Sequence, residues 1–149
     1  MKIELKKFTL RDYIRFIILK LNRDYSNEFS ESLFEYLFDK IKRLFMKQKD
    51  YITSIFVNGK FAGSVGLYAI KNKKSEVGYF VLREFRSKGV ATKATQKILN
   101  FGFKKLELNK ITAITDKKNI ASQKVLKRLG FEIIKENKKE KEYIWERLK

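Results

Sequence analysis

Two strand-like segments, SEVGYFVL (75–82) and KITAITD (110–116), are separated by a segment with helical spacing. That helix is expected from about residue 88 to 108, with an apolar side formed by Val90, Ala94, Ile98 and Phe101. A strand that is joined to the next strand through a helix lies parallel to it in the sheet. The sequence therefore predicts a mixed sheet that contains a parallel pair of strands.

The remaining strand-like segments predict antiparallel pairing. Asn58-Gly59 joins YITSIFV (51–57) to FAGSVGLYAI (61–70), and this dipeptide is a strong signal for a tight hairpin. Together with residues 75–82, these segments predict a meander of three antiparallel strands. Further strands are expected in KIELKKFTL (2–10), FEIIKE (131–136) and YIWERL (143–148), the last two as a closing hairpin.

Three other segments have the spacing or the end signals of helices: RDYIRFIILKLN (11–22), SESLFEYLFDKIKRLFMKQ (30–48) and NIASQKVLKRLG (119–130). In the last of these, Asn119 can cap the start and Gly130 the end, so that Phe131 folds back onto Leu126. The whole pattern predicts a single α/β domain of the α+β type over residues 1–149. Its sheet should be mixed but mostly antiparallel, with about six to seven strands and about four flanking helices.

The composition excludes several kinds of chemistry. The 149 residues include no cysteine and no histidine, so the chain has no disulfide, thiolate nucleophile or imidazole base. A Ser-His-Asp hydrolase is therefore excluded, and no metal site is expected. No apolar run approaches the roughly 18 residues of a membrane span, and MKIELKK (1–7) lacks the apolar core of a signal peptide. We expect a cytoplasmic protein without a membrane partner.

The chain is strongly basic, with 35 lysines and arginines against 17 acidic residues and a net charge of +18. One interpretation is a polyanionic partner such as nucleic acid, the ribosome or a phosphate-bearing ligand. The other is compositional, because Lys, Asn, Ile and Phe have A/T-rich codons and proline is absent. The basic residues are spread along the whole chain, which favours the compositional interpretation.

The junction between the strand at 75–82 and the following helix carries the pattern Arg86-x-x-Gly89-x-Ala91. The first N–H groups of a helix have no partner within the helix, and they point outward with the positive end of its dipole, which suits a phosphate. Gly89 lets the backbone approach an oxygen closely, and Arg86 and Lys88 add positive charge. An ordinary Ser-capped helix with a loop glycine would carry the same pattern, so its place after a strand is what favours an anion site.

Two segments together resemble the GNAT superfamily of acyl-CoA-dependent N-acyltransferases. EVGYFVLREFRSKGVAT (76–92) is similar to the acyl-CoA-binding strand, loop and helix of that family, and ITAITDKKNIASQKVLKRLGF (111–131) is similar to the strand and helix that follow. The order of elements matches over about residues 3–147. The details E-V-G-Y and N-x-A-S-x-x-V-L-x-x-L-G-F are most similar to the branch that acetylates the N-termini of ribosomal proteins. That branch also contains enzymes that act on small amines.

The resemblance implies acetyl-CoA as co-substrate and a primary amine, either a protein N-terminus or a small amine, as acceptor. Backbone N–H groups of the loop and helix start would hold the pyrophosphate of coenzyme A, beside Arg86: Ser87, Lys88, Gly89, Val90, Ala91 and Thr92. The backbone of Phe80, Val81 and Leu82 would bond the pantetheine arm like an extra strand. That contact requires the strand at Glu76 to splay from the strand at 111–115, typically through a bulge. Asn119 would bond the pantetheine or a water on the acceptor's path.

The candidate catalytic side chains are few, namely Glu76, Ser122 and Asn119. Glu76 could instead be an edge-facing, solvated side chain, and Ser122 an ordinary residue of the first helical turn. Glu76, a carboxylate on a mostly apolar strand where a raised pKa is expected, would act as a general base through water. Ser122 would lie near the thioester sulfur, whose thiolate has a pKa of about 8.5 like a cysteine and needs only a weak acid. Many relatives place a tyrosine for this step, whereas the aligned residue here is Leu126. That difference leaves Ser122 or solvent as the proton donor.

Two other functions remain open from the sequence. The chain could be a non-catalytic basic module that docks on RNA or the ribosome, although its aromatic residues follow core spacing. It could also bind acetyl-CoA as a sensor without turnover, because the usual tyrosine is missing. The acceptor pocket would be built by residues 11–48 and the turn at 138–142, and the oligomeric state is not indicated. Five acidic side chains of the first region could attract a cationic amine: Asp12, Asp24, Glu28, Glu31 and Glu35.

Overall fold

The computed structural model describes residues 1–21 and 50–149, and these ranges contain seven strands and three helices. The strands are β1 (Ile3–Lys7), β2 (Tyr51–Val57), β3 (Lys60–Lys71), β4 (Lys74–Val81), β5 (Lys110–Asp116), β6 (Glu132–Asn137) and β7 (Glu142–Leu148). The helices are α1 (Leu10–Leu21), α2 (Val90–Lys104) and α3 (Ile120–Arg128). None of these three helices is long and apolar enough to cross a membrane. The helix predicted at residues 30–48 lies outside the described residues.

The seven described strands form one sheet in the order β1-β2-β3-β4-β5-β7-β6. Neighbouring strands are antiparallel except β4 and β5, which are parallel and are connected through α2. In the turn between β2 and β3, Asn58 and Gly59 both adopt the left-handed conformation, at φ 48° and φ 80°. The predicted fold class, with a mixed and mostly antiparallel sheet, is confirmed.

Helix α2 is shorter than the sequence predicts. It covers residues 90–104 rather than 88–108, because Gly89 stands in front of it with φ 74°. At its end the chain folds back, and the Leu108 N–H donates to the Gly102 carbonyl at 3.0 Å. A Cβ on Gly102 would lie 2.8 Å from a methyl carbon of Leu67, so the glycine lets this helix lie directly on the sheet.

Helices α2 and α3 cover one face of the sheet, and the main core lies between them and the strands. Its most deeply buried side chains come from both layers: Ile55, Val65, Leu67, Val90, Ile98, Leu99, Ile111, Leu126 and Trp145. Fully burying one such side chain contributes about 1.5–3 kcal/mol to folding, so these residues dominate the stability of the domain. The Trp145 indole N–H donates to Thr115 Oγ1 at 2.8 Å, which satisfies the polar atom of the largest core side chain.

The opposite face of the sheet carries α1 near the end of β4. The Phe16 ring of α1 packs against the rings of Phe61 and Phe80, with centroids 5.6 and 5.5 Å apart. These rings form a second, smaller core together with Leu82. The end of β4 is therefore held from both faces, by α2 on one side and by α1 on the other.

Strand β3 contains a bulge that brings it against the end of β4. The register between β2 and β3 shifts at Ile55 and Phe56, where Ala62 is the extra residue of β3. The next residue, Gly63, has φ 144°, and a Cβ there would lie 2.0 Å from the Phe80 carbonyl oxygen. Only glycine fits this position, because any side chain would collide with the backbone of β4.

Helix α3 ends as the sequence predicts. Gly130 has φ 78°, its N–H donates to the Lys127 carbonyl at 3.0 Å, and the Phe131 N–H donates to the Leu126 carbonyl at 3.0 Å. These two bonds define a Schellman motif. Leu126 and Phe131 are both buried, so the end of α3 is fixed by apolar packing as well as by hydrogen bonds.

Candidate active site

Strands β4 and β5 separate from each other in the middle of the sheet. Their parallel pairing consists of Lys74↔Lys110, Ser75↔Ile111 and Glu76↔Thr112, and it ends there. Strand β4 nevertheless continues beside β3 to Val81, and β5 continues beside β7 to Asp116. A gap therefore opens in the sheet immediately after Glu76, with the ends of two strands as its walls.

The bulge that was expected to accompany this separation lies on the neighbouring strand. The register between β3 and β4 shifts between Tyr68 and Lys71, opposite the residues just before Glu76. Within that stretch Ala69 has φ 50°, and its N–H donates to Asp50 Oδ1 at 2.7 Å. The irregularity is thus on β3, where the carboxylate of the residue just before β2 stabilises it.

The alternation of hydrogen bonds along β4 decides which backbone groups face the gap. The Leu82 N–H donates to the Ala62 carbonyl at 2.9 Å, so Leu82 and Phe80 direct their backbone groups toward β3. Val81 and Tyr79 direct theirs the other way, toward the gap. Of the three residues predicted to bond a pantetheine arm, Val81 is the one whose backbone faces the gap.

Helix α2 begins beside this gap without a side-chain cap. Its N-cap residue is Gly89, with φ 74°, and no side-chain cap bond is made at this helix end by residues in the described ranges. A Cβ on Gly89 would meet no atom of residues 1–21 or 50–149 within 4 Å, so on the side of these residues the space in front of the helix is open. Ser87 has φ 57° and belongs to the loop, so the Ser-capped alternative does not hold. Loops with alternating left-handed residues turn successive N–H groups to one side, and this arrangement fits a phosphate.

The two basic side chains of the loop fold back onto it. Arg86 Nε donates to the Val81 carbonyl at 2.8 Å, and Lys88 Nζ donates to the Glu84 carbonyl at 2.7 Å. The guanidinium carbon of Arg86 also lies 5.9 Å from the centroid of the Phe80 ring. Arg86 therefore ties the loop to the end of β4 and keeps its charge between the strand and the helix start.

Glu76 lies on the face of the sheet that α2 and α3 do not cover. Because side chains alternate along a strand, Glu76 shares this face with its partner Thr112, with Asp116 further along β5, and with Glu142 opposite Asp116. Burial raises the pKa of the Glu142 carboxyl, and the negative charges of Glu140, Asp116 and Glu76 raise it further. Among the residues that the structure describes, Glu76, Asp116 and Glu142 therefore form an acidic cluster on the face beside the gap, although the whole chain carries a charge of +18.

Tyr68 is a buried polar residue next to Glu76 that sequence reasoning missed. It pairs with Glu76 across β3 and β4, and its ring lies over Gly66, where a Cβ would come within 3.0 Å of it. Burial raises the pKa of the Tyr68 phenol, and the charges of Asp50 and Glu76 add to this effect. The phenol therefore stays neutral beside the acidic face.

The acidic residues predicted to attract an amine are only partly described. Asp12 is buried, and its Oδ2 accepts from Thr9 Oγ1 at 2.7 Å while its Oδ1 accepts from Arg15 Nη1 at 2.7 Å. This carboxylate is engaged in a capping box at the start of α1. The other four lie outside the described residues: Asp24, Glu28, Glu31 and Glu35.

The start of α3 faces the gap from the side of β5. Asn119 caps this helix, with its Oδ1 accepting from the Ser122 N–H at 3.0 Å. Ser122 Oγ lies 2.7 Å from the hydroxyl oxygen of Tyr79 on β4. Burial raises the pKa of Tyr79 to about 12, although its hydrogen bond with Ser122 opposes the shift. Tyr79 was not among the predicted site residues, and its place in E-V-G-Y was the available signal.

Leu126 points into the core and not toward the gap. Its side chain is 0% exposed and packs in the main core with Trp145 and Ala113. The position at which the resemblance to the family implies a tyrosine is therefore filled here by a core residue. No three acidic side chains in the described ranges are grouped so that they could hold a metal ion.

Comparisons with known proteins agree with this geometry. A family model described as an acetyltransferase (GNAT) domain matches residues 2–132. YdaF of Bacillus subtilis (strain 168), which carries the name of a ribosomal N-acetyltransferase, is 33% identical over 79 residues that cover 52% of this chain and 43% of YdaF. Spermidine N(1)-acetyltransferase of Escherichia coli (strain K12) is 29% identical over 108 residues that cover 71% of this chain and 54% of the relative. The matches thus span about half of each relative's length.

Solved structures share the fold of the chain. The N-acetyltransferase PseH of Campylobacter jejuni, in complex with acetyl coenzyme A, superposes with a TM-score of 0.74 over 99% of both chains, at 18% sequence identity. This likeness concerns the fold, while the family model covers most of the sequence. The chain belongs to the GNAT acetyltransferase family.

Proposed function

We propose that the protein transfers an acetyl group from acetyl-CoA to a primary amine in the gap between β4 and β5. The observation that carries this proposal is the end of β4–β5 pairing at Glu76, close in the chain to an uncapped helix start at Gly89. In the reaction the amine nitrogen bonds to the acetyl carbon, and the carbon–sulfur bond breaks. The amine loses one proton and the sulfur gains one, so the products are an amide and coenzyme A.

The proposed acetyl-CoA site uses backbone groups on both sides of the loop at 83–89. The pyrophosphate would lie on the start of α2, held by the N–H groups of residues 87–92, because that helix end is open and carries the positive end of the dipole. The pantetheine arm would extend along the side of β4 that faces the gap beyond Glu76, where it could bond the backbone of Tyr79 and the N–H of Val81, whose carbonyl accepts from Arg86. Asn119 lies across the gap at the start of α3, where its side chain would meet the same arm.

Two side chains are proposed to handle the protons. Glu76 stands where the strands separate, so it would accept the amine proton through a water. Ser122 stands at the start of α3 and would supply the proton that the sulfur gains. The sulfur needs little help, because its thiol has a pKa of about 8.5. Positioning of the two substrates would therefore provide much of the rate.

The acceptor is proposed to be a cationic primary amine, either a peptide N-terminus or a small amine. The acidic face formed by Glu76, Asp116 and Glu142 supports a positively charged acceptor. Of the two relatives described above, one carries the name of a ribosomal N-acetyltransferase and the other that of a spermidine acetyltransferase. Their names therefore fit a protein acceptor and a small-amine acceptor, respectively. An α-amine with a pKa near 8 is about one-tenth neutral at pH 7, whereas an amine with a pKa of about 10.4 is less than about 0.1% neutral. A base is therefore needed far more for a small aliphatic amine.

The proposal is tested by measuring how fast the free thiol of coenzyme A is released from acetyl-CoA. The wild-type protein would be incubated with acetyl-CoA and, in separate reactions, with N-terminal peptides, polyamines and aminoglycosides. We expect thiol release above the rate without acceptor for at least one class, with the acetylated amine visible by mass spectrometry. Binding of acetyl-CoA without release in any reaction would favour a sensor. Absence of both binding and release would overturn the proposal and favour a basic binding module.

A further inference from the structure

A hydrogen bond joins β4 to α3 beside the gap that separates β4 from β5. The hydroxyl oxygen of Tyr79 lies 2.7 Å from Ser122 Oγ and 3.3 Å from the Ser122 carbonyl oxygen. Tyr79 stands beyond Glu76, the last residue of β4 that pairs with β5. Ser122 belongs to the helix that follows β5. The contact therefore joins the two elements across the place where the sheet has separated.

The backbone of Ser122 is held independently of this contact. Its N–H donates to Asn119 Oδ1 at 3.0 Å, as part of the cap of α3. The cap does not fix the direction of the serine hydroxyl, because its hydrogen can rotate about the C–O bond. Tyr79 is half-buried, and its ring packs against the main core, so its hydroxyl approaches Ser122 from a fixed position.

Tyr79 has a proton that it can donate to Ser122. Burial raises the pKa of its phenol to about 12, so the group keeps its proton at neutral pH. A phenol has one proton to donate, and two oxygens lie within its reach: Ser122 Oγ, which can donate or accept in this pair, and the Ser122 carbonyl oxygen, which can only accept. When the phenol donates to Ser122 Oγ, the serine's own proton is directed away from Tyr79 and can be given to another group.

We propose that Tyr79 is a positioning residue that holds the Ser122 hydroxyl so that the serine proton points into the gap. This inference rests on the proposed function, because the gap is where the departing sulfur would take up its proton. Tyr79 acts only through Ser122 and keeps its own proton throughout. Tyr79 thus supplies a phenol from β4, whereas Leu126 of α3 is buried in the core.

A double-mutant cycle tests this role. Tyr79→Phe is expected to lower kcat about three- to tenfold, the range for loss of one hydrogen bond, with the KM for acetyl-CoA changed less than about twofold. In a Ser122→Ala background the same change is expected to have no further effect, because the group that Tyr79 orients is gone. Tyr143→Phe is the control, since it removes the hydroxyl of another tyrosine, on β7, and keeps the ring that packs on Trp145. Equal losses from Tyr79→Phe with and without Ser122 would overturn the inference and leave Tyr79 a structural residue.

A second measurement does not depend on activity. In protein without ligand, the ring carbon that bears the hydroxyl of each tyrosine would be labelled with ¹³C, and its NMR signal followed against pH. The Tyr79 signal is identified by its loss in Tyr79→Phe. Once Tyr79 loses its proton, the Ser122 hydroxyl can turn and donate to the charged phenolate, which lowers the Tyr79 pKa, so Ser122→Ala should move its titration to higher pH. An unchanged titration would mean that the pair does not form in solution, and the inference would fail.

The two proposals fail in different ways. If the wild-type protein transfers acetyl groups and the two Tyr79→Phe losses are equal, only the positioning role is wrong. If the wild-type protein transfers none to any acceptor, the proposed function is wrong and the positioning role is wrong with it. In that case the ¹³C titration would still report whether the contact between Tyr79 and Ser122 exists.

Discussion

Glu76 and Thr112 form the last pair between β4 and β5, and the two strands separate directly beyond them. The carboxylate of Glu76 therefore lies at the narrow end of the gap, on the face that it shares with Asp116 and Glu142. A group in this position can reach an amine that enters from the acidic face. In the proposed function, the separation of the strands thus determines both where acetyl-CoA would bind and which side chain would stand at the reaction site.

Replacing Glu76 with glutamine tests its role as a base. With an aliphatic amine as acceptor, Glu76→Gln is expected to lower kcat/KM by about 100-fold or more at pH 7, the usual contribution of a general base. Much of the loss should be recovered as the pH rises, because the amine then deprotonates unaided. Steady-state rates between pH 6 and about pH 10 measure this effect. Glu132→Gln, on exposed β6, is the matched control and should behave like the wild type. An unchanged rate for Glu76→Gln at pH 7 would leave solvent as the base.

Gly89 is expected to be necessary for binding acetyl-CoA. In the wild type, acetyl-CoA at about one hundred times its Kd should raise the Tm by about 5–10 °C. Gly89→Val should abolish this rise, because a branched side chain would fill the open space in front of α2. Thermal unfolding with and without acetyl-CoA measures the difference.

Gly59→Val is the matched control for Gly89→Val. Gly59 also has a left-handed φ, 80° against 74°, and a Cβ there would also meet nothing within 4 Å. Both variants should lose stability from backbone strain, but the Gly59 variant should keep the full response to acetyl-CoA. A preserved response in Gly89→Val would exclude a phosphate site at the start of α2.

Gly63 is expected to be indispensable for the shape of the gap. Its φ of 144° and the 2.0 Å approach of a Cβ to the Phe80 carbonyl mean that Gly63→Ala must displace β4. We expect a loss of about 3 kcal/mol or more in the free energy of unfolding, from strain and overpacking together. Gly59→Ala, which has open space, should cost only about 1 kcal/mol. Urea unfolding of the two variants measures this contrast, and similar losses would show that β3 and β4 are not in close contact there.

Glu142 is expected to reduce stability at neutral pH. Its pKa is raised in the folded protein, chiefly by burial and then by the neighbouring charges of Glu140, Asp116 and Glu76. A raised carboxyl pKa means that the folded state favours the protonated form, so stability is greatest below the ordinary pKa of 4.5 and falls as the pH rises through the folded value. Glu142→Gln should therefore have a higher Tm than the wild type at pH 7. This advantage should disappear near pH 4, and a lower Tm at pH 7 would contradict the acidic face.

Much of the fold could be predicted because it follows from local patterns. The Asn58-Gly59 turn, the crossover through α2 and the Gly130 helix end each depend on residues adjacent in sequence. The alternation of apolar residues was enough to assign the strands. The exact ends of α2 were not predictable in this way, because the φ of Gly89 depends on the loop that precedes it.

The site was less predictable because its contacts join residues far apart in the chain. Tyr79 and Ser122 are separated by 43 positions, and no pattern in either segment indicates that their hydroxyl groups meet. The role of Gly63 depends on Phe80, and the acidic face depends on the pairing of β5 with β7. Sequence gave the residue types of the site, whereas strand register decides which of their groups face the gap.

A residue-resolved titration with coenzyme A examines the whole site at once. In ¹⁵N-labelled protein at physiological salt, we predict that coenzyme A shifts the amide signals of Val81, of residues 87–92 at the start of α2, and of Ser122 in α3. These groups line the gap and the open helix end. If the shifts instead fall on residues 135–141, which include four lysines, and vanish at about 200 mM salt, the binding is non-specific attraction of a polyanion. That result would contradict a coenzyme A site in the gap between β4 and β5 and at the start of α2.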